Sequence, residues 1–167
     1  MKPMPHNRDR RMGWFGFFVV LLAGWIIFPS ASLAGVVTNA ADSGPGTLRQ
    51  EILDANDDGV PTLITFDAEV FPGTIFLTTR LPAIRGIGDT IDTAGLAVVI
   101  DGTTVPDAES QRAIGLRVMA ADVTVRGLTI QNFTNDGIYV GPSQYDNEAD
   151  ITQVIISDNT LINNLDG

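Results

Sequence analysis

The chain has 167 residues, with 20 acidic against 10 basic side chains, no cysteine and one histidine. That length suits one domain with a real core, since 44% of the residues are apolar. The net charge of -10 argues against a protein that tracks nucleic-acid phosphates, and the lack of cysteine removes disulfides, thiolate zinc sites and cysteine nucleophiles.

Lys2, Arg8, Arg10 and Arg11 precede an apolar run from Met12 to Phe28, and Pro29-Ser30-Ala31-Ser32-Leu33-Ala34-Gly35 follows. A positive flank, an apolar stretch and small residues at Ser32 and Ala34 predict a secretory signal over 1–34, cleaved after Ala34. An uncleaved membrane anchor is the alternative, because the run is just long enough to cross a thin bilayer. The expected location is secreted, periplasmic or cell-surface, with membrane contact only through that segment. Removing four of the ten basic residues and one of the twenty acids leaves 6 arginines against 19 acids in 35–167, with no lysine and no histidine. Histidine triads and histidine metal sites are excluded there, so a general base has to be a carboxylate, a tyrosine or an arginine.

Gly44-Pro45-Gly46 is a turn, and Thr47-Leu48-Arg49-Gln50 has capping-box spacing: Thr47 toward the Gln50 N–H, the Gln50 amide reaching back. Leu48, Ile52 and Leu53 are expected on one face of a three-turn helix that Asn56-Asp57-Asp58-Gly59 ends. The helix is either an ordinary surface helix or a lid over the end of a β core. Short β-rich runs follow, among them Thr62–Phe66, Thr74–Thr78 and Val98–Ile100, separated by glycine, proline and aspartate.

These runs repeat. Gly115-Leu116-Arg117-Val118 aligns with Gly137-Ile138-Tyr139-Val140, and Val123–Gly127 with Val154–Asp158. Val98–Gly102 aligns with Val123–Gly127, Leu128-Thr129-Ile130 with Asn159-Thr160-Leu161, Asn132 with Asn163, and Asp136-Gly137 with Asp166-Gly167. A polar acidic insertion, Gly141 to Asp150, lengthens one interval. The two-residue side-chain period puts Val123, Val125, Leu128, Ile130, Ile138 and Val140 on one side. A β-sandwich of hairpins is the competing architecture. The fixed spacing and the missing Asn-Gly turns favour an all-β fold, a right-handed parallel β-helix over 35–167 with a short N-terminal capping helix.

Thr47-Leu48-Arg49-Gln50-Glu51-Ile52 with Ala55-Asn56 is similar to the capping segment that opens many secreted β-helix proteins. Leu81-Pro82-Ala83-Ile84, Val123 to Ile130 and Asn135-Asp136-Gly137-Ile138 resemble their first coils. Nearly all of 36–167 resembles the pectin-lyase-like group of parallel β-helix repeat proteins. That group includes polysaccharide lyases, hydrolases and epimerases, and also surface and adhesin-like proteins without known catalysis, so the resemblance implies a fold and leaves function open. Residues 158–167 start a new turn and stop at Asp166-Gly167 without a capping helix or charged edge strand, so the repeats are expected to continue past residue 167.

Asn132, Asn159 and Asn163 resemble the asparagine ladders of that fold, where an amide satisfies backbone groups of its stacked neighbour; sugar binding by these amides is the alternative. Arg117 and Tyr139 occupy equivalent outward positions and should sit one rung apart, which permits guanidinium stacking on the phenol. The pair is either packing or a platform for an acidic sugar. Asp101, Asp122, Asp136, Asp158 and Asp166 offer carboxylates for glycoside hydrolysis or for calcium, although their glycine and asparagine neighbours mark turn corners. Asn135-Asp136-Gly137 is similar to the Asn-Thr-Asp motif of polygalacturonase-like hydrolases but lacks the threonine, and their paired aspartates, Gly-His-Gly and Arg-Ile-Lys segments are absent. With no lysine, Arg126 is the lone candidate for a lyase base. No catalytic residue, metal or cofactor is therefore assigned, calcium remaining an option. The expected function is binding of a polysaccharide, a cell-surface glycan or another surface, without nucleic acid. The alternative is the N-terminal part of a polysaccharide lyase, hydrolase or epimerase.

Overall fold

The computed structural model describes residues 33–107, 112–142 and 151–165. The expected export segment lies outside them except for Leu33 and Ala34. So do the Asp166-Gly167 repeat and all but the first two residues of the Gly141–Asp150 insertion. Among the described residues no helix is long and apolar enough to cross a membrane.

Eleven strands and one helix follow in the order β1 (Leu33–Val37), α1 (Leu48–Asp58), β2 (Thr62–Phe66), β3 (Gly73–Phe76), β4 (Thr90–Asp92), β5 (Val98–Asp101), β6 (Leu116–Val118), β7 (Thr124–Arg126), β8 (Leu128–Gln131), β9 (Ile138–Val140), β10 (Ile155–Ser157) and β11 (Thr160–Ile162). They form three sheets, ordered β1-β2-β4-β7-β10, β11-β8-β5-β3 and β6-β9, and an isolated bridge from Ile84 to Val118 extends the last. Every pairing is parallel, which a sandwich of hairpins does not produce. From β4 onward the chain visits the first, second and third sheet in turn, then repeats the circuit with β7, β8 and β9. The fold is thus mostly parallel strand with one core-forming helix.

Side-chain alternation stacks like on like. Ile64, Ile91 and Val125 stand in register on the first sheet, and Ile75, Ile100 and Ile130 on the second, all of them essentially inaccessible to solvent. Successive members of a column are about 4.8 Å apart, so each methyl group meets one above and one below.

The helix begins as its cap predicts: Gln50 N donates to Thr47 Oγ1 at 3.3 Å. The reciprocal half of the box is absent, because the Gln50 amide donates to Asp54 Oδ1 at 2.8 Å instead. Leu48, Ile52 and Ala55 form the buried stripe, packing on β1 and β2, while Leu53 is exposed. Leu53 stands roughly 140° around the helix from Leu48, off the stripe. Gly59 closes the helix in the left-handed conformation.

Three expected alignments hold in the strand register and one does not. Leu116 pairs with Ile138, Thr124 with Ile155 and Thr129 with Thr160. Val98–Asp101, however, pairs with β3 and β8 in the second sheet, whereas Val123–Arg126 belongs to the first. Strands of all three sheets share one apolar alternation, so like-looking runs from different sheets align by chance. The expected inward set also divides. Val123, Val125, Leu128 and Ile130 are sealed, but Ile138 is half-buried and Val140 exposed, since no described strand covers β9 on its far side.

Candidate anion-binding face

Arg117 and Tyr139 are direct register partners on β6 and β9. Leu116 and Val118 point inward and are fully buried, which turns Arg117 outward between them. Close approach of the two passes depends on Gly115. A side chain there would collide with the Gly137 carbonyl oxygen and Ile130, and Gly115 N donates to the Asp136 carbonyl at 3.0 Å. The expected stacking of guanidinium on phenol is not formed. The Tyr139 ring lies over Gly141 instead, where an added Cβ would meet its hydroxyl at 2.7 Å, and the one ring contact among the described residues joins Phe66 and Phe71.

Arg117 is half-buried, and its Nε is inaccessible and lacks a hydrogen-bond partner. Burial holds its pKa below the usual arginine value, and the positive charges of Arg80 and Arg85 add to that effect. Among the described residues no carboxylate contributes to that shift. Three of the six arginines of 35–167 therefore gather on one face of a strongly acidic chain.

Helix α1 fixes the segment that brings the other two. Arg49 donates to the carbonyls of Arg80 (2.5 Å) and Thr79 (2.9 Å) and pairs with Asp42 at 2.5 Å. Seven residues on, the Asn56 amide donates to the Ala83 carbonyl at 2.9 Å and accepts from Arg85 N at 2.6 Å. Burial pushes the Asp42 carboxyl up, but Thr78 and Arg49 outweigh it and hold it below the usual carboxylate range. The contributions of Arg80, Arg85, Arg49 and Asn56 carry no repeat signal, so sequence spacing misses them; the scarcity of arginine is the cue that was available.

The other candidates are structural in this geometry. Asn159 Oδ1 accepts from Leu128 N at 3.0 Å while its Nδ2 donates to the Val125 carbonyl at 2.9 Å. Asn163 donates to Asn132 at 3.4 Å, and Asn132 to Asp101 at 2.9 Å, whereas Asn159 bonds backbone groups alone. Asn164, unnoticed in the repeat, bonds Phe133 N and the Ile130 carbonyl in the same way. Burial raises the Asp101 carboxyl, but bonds from Thr103, Gln131 and Asn132 prevail and leave it below the usual range. Asp122 and Asp158 occupy left-handed corner positions. Asp136 keeps one buried oxygen without a partner. Among the described residues no group of three acidic side chains converges to hold a metal ion.

Arg126 is not placed as a base. It pairs with Asp92 at 2.5 Å, and that bond raises its pKa above the usual value and lowers that of Asp92. The pair borders an open cleft of about 520 Å³ with Thr93, Leu96 and Asp158. Comparison with family models, with curated proteins and with solved structures yields no match.

Proposed function

We propose that this chain is an exported right-handed parallel β-helix of the pectin-lyase-like kind, whose Arg117 face binds an anionic carbohydrate. The repeated circuit through three parallel sheets supports the fold, with right-handed crossovers as the rule for such connections. The signal-like residues 1–34 support export.

The observation that carries the binding reading is the half-buried guanidinium of Arg117, which among the described residues is acted on by burial and by two more arginines in a chain dominated by acids. A half-buried guanidinium whose Nε has no hydrogen-bond partner, crowded by like charge, costs free energy in the empty protein, and an anion lowers that cost. A planar guanidinium accepts a carboxylate or sulfate through paired N–H bonds, while the exposed Tyr139 ring beside it offers an apolar face to a sugar ring. The complete exported protein should be retained on immobilised polygalacturonate and on a sulfated glycan, and released by salt. Retention on neutral glucans alone overturns the reading. Release of unsaturated or new reducing ends from the polymer would assign catalysis to the protein in place of binding alone.

A further inference from the structure

Glu51, in the first turn of α1, lies with its carboxylate against Gly35 of β1. A Cβ built on Gly35 would meet Glu51 Oε2 at 2.6 Å. With no Cβ at Gly35, the carboxylate lies close over its Cα. The position is poor for a negative charge: burial pushes the Glu51 carboxyl up, the nearby Asp54 carboxylate adds to that, and no cation among the described residues acts on it. No described hydrogen bond or ion pair engages its side chain.

Gly35 is also the residue that follows the Ser32-Leu33-Ala34 cleavage signal. Hydrolysis of the Ala34–Gly35 peptide bond consumes one water. Ala34 leaves with the carboxylate, and Gly35 keeps the amine, which takes up a proton at neutral pH. That new ammonium is bonded to the same Cα over which Glu51 Oε2 sits.

Resting on the export reading above, we infer that Glu51 is a built acceptor for the mature N-terminus, forming an ion pair with the Gly35 ammonium only after the leader is removed. The pair has a structural task. Cleavage strips Leu33 and Ala34 from β1, and with them their pairing to Thr62 and Leu63, leaving three residues at the edge of the largest sheet. An ion pair to the packed helix holds that shortened strand in register.

The test uses the full-length precursor, exported with its own leader. Intact mass fixes the start of the product, and the rate of reductive methylation of its α-amine is followed against pH. A product starting at Gly35, with an amine pKa about one unit above the ordinary 7.7–8.0, is expected. Glu51→Gln, which keeps size and polarity, should return the value to the ordinary range. An ordinary pKa in the unsubstituted protein overturns the ion pair while leaving export intact, and this result needs no variant to fold. A product with any other start overturns the ion pair at Gly35, and one that keeps residues 1–34 in the membrane overturns the export reading as well.

Discussion

Arg126 and Arg117 are outward residues of central parallel strands, yet they are used in opposite ways. Arg126 meets Asp92 in register in the preceding pass, and the two charges cancel across one rung. For Arg117 the bridge between Ile84 and Val118 puts Ala83 at the corresponding place, so no acid stands in register. Its charged neighbours among the described residues are Arg80 and Arg85, which α1 holds nearby through Arg49 and Asn56. In a stacked-strand fold a charge is absorbed into the ladder when its opposite stands one pass away, and stays available for a ligand when it does not.

The largest effect should come from breaking the strand pair itself. Gly115→Ala forces a methyl group onto the Gly137 carbonyl and should cost about 1–3 kcal/mol in urea unfolding, together with loss of anionic-glycan binding. Arg117→Ala combined with Tyr139→Ala should weaken that binding about tenfold to a hundredfold, as befits lost bonds to a charged group, while the unfolding midpoint changes far less. A loss of folding without a separate binding defect would return the pair to packing.

Acid separates the two arginines by a different route. The Asp92 and Asp101 pKa values are lowered on folding, so their stabilisation is present above the unfolded value near 3.9 and is lost as pH falls through the folded values. Glu51 and Asp89, raised by burial, have the reverse sign and lose stability as pH rises through their window. Protonating Asp92 with acid frees Arg126 but leaves Arg117 as it was. Binding of a sulfated glycan, which stays anionic, should therefore be unchanged between pH 7 and pH 5 and persist until unfolding. The smallest effect is Asp92→Asn at neutral pH, with a melting shift below about 2 °C, because the guanidinium of the pair it breaks is half exposed to water.

Alternation and spacing made much of the architecture legible: β2 falls on Thr62–Phe66, and the partners Leu116–Ile138 and Thr129–Thr160 lie where the repeats put them. The strand β4, with one apolar residue in three, gives no such signal, and β1 directly follows the export segment. Asn164 escaped because matching seeks like residues, and Asn163 supplied the match to Asn132. Asn164 instead bonds backbone groups of Ile130 and Phe133, which requires no asparagine in the earlier pass. The candidate site was half legible. Arg117 and Tyr139 share a repeat position, whereas Arg80 and Arg85 arrive through a loop pinned by helix side chains, a tertiary contact with no periodicity.

The most direct measurement is the affinity of the exported protein for a defined oligogalacturonate by titration calorimetry, with Arg117→Gln and Arg126→Gln made side by side. Each variant removes one positive charge, so a general electrostatic attraction would weaken equally in both. The account predicts at least about a tenfold loss for Arg117→Gln and a change within about twofold for Arg126→Gln. Equal losses in the two variants, or a larger loss at Arg126, would contradict it.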